Sequence, residues 1–249
     1  MKYTVSQFIG AGLCDPRGYL SLLGALMLVE DAVTVTLDKI DINGFKMRRD
    51  YGAVLVFSKN HVKFLEAVKW NEKVKVSCFI STKSMARMNV DVCVKNQDGV
   101  IVLYARTEVC AVDVESGRIR RLDAVGIGSE VRVVRPLIEM EWTPLTGDGK
   151  LVDTVKIRTG NIDYAGHTNN VEYIRLLLNT FTLEEWRGGI VPRELQVAYV
   201  SQSFLGDSLD IYSCEQEIEP SETKQLATHE RLFTIKKATQ DVLRCAIRW

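Results

Sequence analysis

The residues of this 249-residue chain that can do chemistry are concentrated in one segment, Gly160 to Tyr173, which reads G-N-I-D-Y-A-G-H-T-N-N-V-E-Y. The segment lies between a run that alternates like a strand and an apolar run with helical period. Asp163 and His167 are four residues apart in a glycine-containing turn, and Thr168 to Asn170 follow directly. This order predicts a carboxylate beside the free backbone N–H groups of a helix start.

Such an arrangement suits acyl transfer. The N–H groups near Thr168 to Asn170 can polarise a carbonyl and hold an oxyanion, while Asp163 activates water or attacks the carbonyl itself. His167 is then the orienting or polarising partner of the carboxylate. The same residue types are also the ordinary chemistry of turns and helix caps. From the residues alone, a purely structural role for Asp163, His167 and Asn169 is an equal alternative.

The first half of the chain predicts a strand, a buried helix and then antiparallel strands. Cys14-Asp15-Pro16 is a helix-start signal, and the apolar run that follows it predicts a central helix wrapped by other structure. Period-two alternation predicts half-buried strands over Val74–Ile80 and Met88–Val94. A hairpin turn at Asn96–Gly99 and one more strand over Val100–Val114 complete the half.

The second half repeats this order, which indicates duplication. The predicted helix covers Thr168–Trp186, and the predicted strands are Leu151–Arg158, Leu195–Val200, Ser208–Cys214, Leu226–Ile235 and Val242–Trp249. Local details repeat as well, since Trp70–Val76 parallels Leu205–Ile211 and the hairpin at Lys95–Gly99 parallels the one at Lys237–Asp241. We predict an α+β fold of two similar domains, 1–130 and 151–249, joined by a linker at 131–150.

Composition indicates a soluble globular protein. With 32 Lys+Arg, 32 Asp+Glu and 46% hydrophobic residues, disorder is excluded and nucleic-acid binding has no electrostatic support. The six cysteines form no C-x-x-C pair and lie mostly in apolar runs, which predicts buried free thiols and a reducing cytoplasm. The start lacks a signal-peptide core, and the longest uncharged stretches are shorter than the ~18 residues of a membrane span.

Three further residues invite a functional interpretation. His61 and His229 have no second His or Cys at metal-ligand spacing, so we expect surface or strand residues and no metal site. Cys214 has no basic neighbour or helix start that would mark it as a thiolate, so we expect it to pack in the core.

The run from Asp163 to Tyr173 resembles the hot-dog thioesterase signature D-x-x-x-H-x-N-N-x-x-Y, and the double-domain length is similar to that of the acyl-acyl carrier protein thioesterases of plants and bacteria. The resemblance implies two tandem hot-dog domains, each a long central helix wrapped by a curved antiparallel sheet. It implies release of free fatty acid from acyl-acyl carrier protein in fatty acid biosynthesis, without metal or cofactor. In that family the C-terminal half carries the catalytic groups, and the N-terminal half helps to shape the acyl-chain pocket.

Two positions depart from the family pattern. Those thioesterases typically have Asn two residues after the Asp and Glu ahead of a G-D-like turn, where this chain has Ala165 and, by the register of Gly206-Asp207, Gln202. Single hot-dog acyl-CoA thioesterases, with D-x-M-G-H-x-N-N, resemble this turn more closely and use one acidic residue plus helix N–H groups. The resemblance therefore implies Asp163 and His167 as catalytic residues. Supporting or oxyanion roles fall to Thr168, Asn169, Asn170 and Gln202.

The partner implied is an acyl carrier protein bearing a fatty acyl chain. Basic residues cluster at Arg118, Arg120, Arg121, Arg132 and Arg135, and again at Lys46, Arg48 and Arg49. Two interpretations are open, a solvated face and a docking patch for the acidic carrier. Two rival functions are also open, an acyl-CoA thioesterase of the same fold and a catalytically weak acyl-binding protein. Chain-length preference and a homodimer are left undecided.

Overall fold

The computed structural model describes residues 3–147, 149–187, 189–218 and 227–249. The chain forms two compact units, Met1–Glu141 and Trp142–Trp249, here called unit 1 and unit 2. The boundary between them falls inside the segment 131–150 that the sequence assigns to a linker. Each unit combines helices with antiparallel strands, so the α+β class is confirmed.

Within its described residues, unit 1 has one antiparallel sheet, two α-helices and two short 3-10 helices, Ala11–Leu13 and Asp123–Val125. Its elements are β1 (Tyr3–Phe8), α1 (Leu22–Lys39), α2 (Gly44–Tyr51), β2 (Ala53–Phe64), β3 (Lys73–Lys83), β4 (Arg87–Lys95), β5 (Ile101–Asp113) and β6 (Ile119–Arg120). The strand order is β1-β3-β4-β5-β2, with β6 paired to β5. The predicted hairpin is confirmed, since Gly99 adopts φ 83° between β4 and β5 and its N–H donates to the Asn96 carbonyl.

Helix α1 begins later than the sequence predicts. Asp15 does not cap it; its carboxylate accepts the N–H groups of Arg17 and Tyr19 and closes a turn instead. The cap is Ser21, whose hydroxyl accepts the N–H of Gly24 at 2.9 Å. A side chain at Gly24 would place its Cβ 2.2 Å from the Leu13 carbonyl oxygen, so only glycine allows this close approach. The helix then packs on β3 and β4 through its apolar residues.

Unit 2 repeats the strand order of unit 1. Its elements are β7 (Lys150–Lys156), α3 (Asn170–Leu178), α4 (Leu183–Arg187), β8 (Glu194–Tyr199), β9 (Ser208–Glu217), β10 (His229–Lys237) and β11 (Gln240–Arg248). The order β7-β9-β10-β11-β8 matches β1-β3-β4-β5-β2 one for one. The turns that predicted the duplication also correspond, because Asn71 N–H donates to Ile9 and Gly206 N–H donates to Ile157, at 2.8 and 3.0 Å.

The helix predicted over Thr168–Trp186 is wrong, because two shorter helices occupy that range. Helix α3 ends at Leu178, and α4 begins after Thr182, whose hydroxyl accepts the N–H of Glu185 while the Glu185 carboxylate accepts the N–H of Thr182. This reciprocal pair is a capping box that restarts the chain as a helix. Between the helices, Phe181 is buried against the ring of Phe233. No helix of the described residues is both long and apolar enough to span a membrane.

The start of the predicted strand Leu226–Ile235, at Leu226, lies outside the described residues; the observed strand is β10. Two residues inside the predicted linker 131–150 make hydrogen bonds to the unit on their own side of the boundary. The Leu137 N–H donates to the Tyr104 hydroxyl in unit 1. In unit 2 the Thr143 N–H donates to the side chain of Gln196 at 3.1 Å. The chain at 137 and 143 is therefore part of the units it joins.

A buried polar cluster in unit 1 provides one of these anchors. Asp91, which is fully buried, accepts the hydroxyls of Ser81 and Tyr104 and a bidentate pair of hydrogen bonds from Arg106 at 2.8 Å. Burial and the bond to Asp91 raise the pKa of the Tyr104 hydroxyl, so it stays a donor. The Tyr104 oxygen in turn accepts the N–H of Leu137, which links the cluster to the segment that leaves the unit.

We expect Asp91→Ala to lower the free energy of unfolding by about 3–5 kcal/mol, because it leaves the Arg106 guanidinium, whose side chain is only 15% exposed, without its carboxylate partner. Tyr104→Phe keeps the Asp91–Arg106 ion pair but removes the hydrogen bond from the Tyr104 hydroxyl to the Asp91 carboxylate, and it should cost about 1.5–3 kcal/mol. Urea denaturation measures both, with Asp98→Ala in the exposed hairpin as a control that should change stability by less than about 0.5 kcal/mol. An Asp91→Ala loss no larger than the control's would contradict this account of the cluster.

Candidate active site

The turn before α3 holds the carboxylate of Asp163 in a fixed orientation. The Asp163 N–H donates to the His167 carbonyl at 2.9 Å, and Gly166, with φ 83°, makes the reversal. Asp163 Oδ1 accepts the N–H groups of Ala165 at 2.8 Å and His167 at 3.4 Å. Oδ2 of Asp163 has no hydrogen-bond partner among the residues that the structure describes. One carboxylate oxygen is thus fixed by the backbone, and the other is available.

Unit 1 contains the same turn with a different electrostatic outcome. The Asp15 N–H donates to the Tyr19 carbonyl, Gly18 has φ 80°, and Asp15 Oδ1 accepts the N–H groups of Arg17 and Tyr19 at 2.9 and 3.2 Å. The other oxygen, Oδ2, is occupied by the Arg17 guanidinium at 2.9 and 2.5 Å. Arg17 stands where unit 2 has Ala165. The turn of unit 1 is therefore neutralised within itself, whereas that of unit 2 is not.

The predicted oxyanion donors do not all have a free N–H. The Thr168 N–H donates to the carbonyl of Ser203, and the Asn169 N–H donates to the carbonyl of Asn161, both at 2.9 Å. Only the Asn170 N–H, at the first residue of α3, is left without an acceptor within the described ranges. The positive end of the helix dipole adds to the polarity of this group. Of the three residues, Asn170 is the one that can donate to an oxyanion.

Asn169 has a structural role at the same place. Its side-chain oxygen accepts the Val171 N–H at 2.8 Å, which makes it the N-cap of α3. Asn161 supports this start, because its side chain accepts the Arg158 N–H and donates to Glu172 in the first helical turn. The capping role predicted for Asn169 as an alternative is therefore present. Because the amide oxygen of Asn169 is used in this cap, we assign that oxygen no catalytic role.

The loop before β9 carries Gln202 and Phe204 on either side of a buried residue. Gln202 is exposed, and its side chain makes no hydrogen bond to any described residue. The Phe204 ring contacts the His167 imidazole edge-on, with centroids 5.4 Å apart. The structure thus brings this loop to the turn through Phe204, and it leaves Gln202 facing solvent.

A buried hydroxyl cluster joins the loop to the helix, and the sequence reasoning did not assign it. Ser203, which is 0% exposed, has its hydroxyl 2.7 Å from the hydroxyls of both Thr168 and Tyr173. The Tyr173 oxygen also accepts the Ser203 N–H at 3.1 Å. The final tyrosine of the signature was the available signal, since Tyr173 is the only ring of that segment that is buried. We call Thr168, Tyr173 and Ser203 the hydroxyl cluster.

The other residues singled out from the sequence lie apart from the turn. His61 is buried on β2, and His229 lies on β10 with its ring stacked on Trp249 at 5.9 Å. The prediction that Cys214 packs in the core is wrong: it is exposed, because β7 pairs with β9 only as far as Ser213 and leaves the end of β9 at the sheet edge. Four of the six cysteines are buried, and burial raises the pKa of the Cys78 thiol to about 12.

The basic clusters are partly neutralised by neighbouring carboxylates. Arg120 lies 3.5 Å from Asp113 and donates to a backbone carbonyl, and Arg121 pairs with Asp123 at 2.7 Å. Lys46 and Arg49 of α2 pair with Asp41 and Asp50. Four arginines, Arg48, Arg118, Arg132 and Arg135, are exposed and have no ion pair with any described residue. The docking patch stays a prediction, and these four arginines are the unpaired members of the basic clusters.

The C-terminal part of the chain is similar to a known protein family. Residues 148–249 match the family model of the acyl-ACP thioesterase C-terminal domain, which confirms the resemblance predicted from the turn. The acyl-ACP thioesterase of Bacteroides thetaiotaomicron is 17% identical with a TM-score of 0.80, over 99% of this chain and 97% of that one. The 12:0-ACP thioesterase of Umbellularia californica is 14% identical with a TM-score of 0.79, over 100% and 96%. At these identities the likeness shows a shared fold. No curated protein sequence matches significantly.

We expect Asn169→Ala to lower the free energy of unfolding by about 1 kcal/mol, because the first turn of α3 loses its cap. Ser21→Ala, at the matching cap of α1, should cost a similar amount, and Asn169→Asp should retain most of the stability because aspartate also caps. Denaturant unfolding of the three variants provides the measurement. Equal stability of Asn169→Ala and the wild type would show that the cap contributes nothing.

Proposed function

We propose that this chain, whose residues 148–249 match the family model of the acyl-ACP thioesterase C-terminal domain, is a thioester hydrolase that releases free fatty acid from acyl-acyl carrier protein. One observation carries the proposal. Asp163 Oδ1 is held by two backbone N–H groups while Oδ2 has no partner in the described structure, and no arginine neutralises it as Arg17 neutralises Asp15. An oriented, unpaired carboxylate oxygen at a helix start is the group that acyl transfer needs.

The chemistry follows from these positions. As general base, Asp163 takes a proton from water while the water oxygen attacks the thioester carbonyl; the C–S bond then breaks, and the thiol leaves with the proton. As nucleophile, Asp163 attacks the carbonyl to form an anhydride and expels the thiolate; water then hydrolyses the anhydride to the fatty acid and the Asp163 carboxylate, and the proton released from that water converts the thiolate to the thiol. In both routes the Asn170 N–H and the start of α3 stabilise the oxyanion, and His167 orients the reacting groups. The products are a fatty acid and a free carrier thiol.

We further infer that the two units are tandem hot-dog domains. Their matching strand order and matching aspartate turns support descent from one duplicated domain. The helix of the second copy, α3, has only nine residues, so the long central helix implied by the family is not repeated there. The acyl-pocket role of residues 1–130, the place in fatty acid biosynthesis and the cytoplasmic location stay predictions.

The departures from the family pattern are compatible with hydrolysis. Ala165 contributes its backbone N–H to Asp163, a contact that needs no particular side chain. Gln202 is exposed, and amides do not accept protons at neutral pH, so the proposal assigns it no proton transfer. In the proposed mechanism, Asp163 is then the only acidic residue, and the N–H group at the start of α3 stabilises the oxyanion. The acyl-binding rival predicts binding without turnover.

We expect Asp163→Asn to lower kcat about 10²- to 10⁴-fold, because the amide keeps the turn's acceptor but loses the base. Asp15→Asn in unit 1 is the matched control, since it makes the same change in the same turn and should leave kcat unchanged. Release of free thiol from an acyl thioester measures both, and circular dichroism checks that each variant is folded. His167→Ala should also lower kcat.

Two results would reject the proposal. Equal hydrolysis by folded Asp163→Asn and wild type would remove the carboxylate from the chemistry. A wild-type protein that binds acyl chains but releases no thiol would establish the acyl-binding alternative.

Substrate choice distinguishes the carrier protein from coenzyme A. We expect kcat/KM for one acyl group to be higher on acyl carrier protein than on CoA, and to fall with added salt for the carrier alone, because steering between charged surfaces weakens with ionic strength. Initial rates on both substrates at several salt concentrations provide the test. A higher, salt-independent kcat/KM for the CoA ester would favour the acyl-CoA thioesterase.

A further inference from the structure

The hydroxyl cluster occupies a joint that both units make. In unit 2 the Thr168 N–H donates to the Ser203 carbonyl at 2.9 Å, and in unit 1 the Leu20 N–H donates to the Val68 carbonyl at 2.8 Å. Each bond ties the end of the aspartate turn to the loop before the next long strand. The same backbone contact is thus made twice with different side chains.

The side chains at this joint are apolar in unit 1 and hydroxylic in unit 2. Leu20 and Val68, both buried, correspond to Thr168 and Ser203. The fourth residue of α1 is Ala25, and the fourth residue of α3 is Tyr173. Every hydroxyl of the cluster therefore has an apolar counterpart in unit 1.

Buried hydroxyls need hydrogen bonds to offset the loss of water, whereas apolar side chains gain by burial. Since unit 1 closes the joint with Leu20 and Val68, the fold itself does not require hydroxyls there. Of the two joints, only the one in unit 2 has hydroxyls, and it follows the turn in which Asp163 has a carboxylate oxygen without a partner among the described residues. A buried hydrogen-bond network of this kind restricts the positions of side chains and backbone to a smaller range than apolar packing does, because hydrogen bonds are directional.

The hydroxyl cluster is linked to His167 in two ways, through the turn and through the loop before β9. Thr168 follows His167 directly, and Ser203 precedes Phe204, whose ring contacts the His167 imidazole. We infer that Ser203, through its bonds to Thr168 and Tyr173, is a positioning residue that holds the His167 ring between the turn and the loop. The inference rests on the proposed function, because positioning has meaning only for a reaction at Asp163.

The test removes the hydroxyls one at a time without changing the shape of the side chains. Ser203→Ala, Tyr173→Phe and Thr168→Val should each lower kcat about tenfold or more with KM changed less than about twofold, since misplacement of a catalytic group costs chemistry rather than binding. Thr168→Ser retains the hydroxyl and should keep most of the wild-type kcat. The double variant Ser203→Ala/Tyr173→Phe should lose less than the product of the single effects, because both break the same network.

Ser81→Ala is the control, because Ser81 is also a buried hydroxyl but bonds to Asp91 in unit 1. It should lower the melting temperature as much as Ser203→Ala does and leave kcat unchanged. The inference is overturned if Ser203→Ala, Tyr173→Phe and Thr168→Val lose stability but keep the wild-type kcat, or if Thr168→Ser loses as much kcat as Thr168→Val. A wild-type chain that releases no thiol overturns the proposed function instead.

Discussion

The hydrogen bonds from two backbone N–H groups to one oxygen of an aspartate determine the layout of each unit. They close the turn at Asp15 and again at Asp163, and they set the direction in which the chain enters α1 and α3. A charge-assisted bond to backbone N–H is among the stronger hydrogen bonds in proteins. Because both N–H groups belong to the turn itself, it can form without help from the rest of the sheet.

These hydrogen bonds use only Oδ1 of each aspartate, and the two units differ in what contacts Oδ2. In unit 1, Oδ2 of Asp15 forms an ion pair with Arg17, so both oxygens of this aspartate have structural partners. In unit 2 the position of Arg17 is held by Ala165, and the oxygen has no partner in the described chain. The two units thus contain the same turn, and the side chain at the position of Arg17 or Ala165 determines whether the second carboxylate oxygen is paired.

The sequence predicted the features that depend on neighbouring residues, and it missed those that depend on contacts between distant residues. The turn at Asp163, the hairpin at Asn96–Gly99 and the repeated order of strand, helix and strands along the chain are read from local patterns, and the structure contains them. The true start of α1 was missed because Asp15 satisfies a turn as readily as a cap. The exposure of Cys214 depends on where β7 stops pairing with β9, and no property of β9 alone records that. The hydroxyl cluster joins residues 30 apart, so spacing could not reveal it.

A comparison of the two units distinguishes polar residues that the fold requires from polar residues that serve a function. Asn169 has a counterpart in Ser21 that caps its helix in the same way, so capping accounts for both. Ser203 has the apolar counterpart Val68 at an identical backbone joint, so the fold does not account for its hydroxyl. A buried polar group costs desolvation wherever it lies. Unit 1 avoids that cost and unit 2 does not, which is the reason for our inference that the Ser203 hydroxyl serves the site of Asp163 rather than the fold.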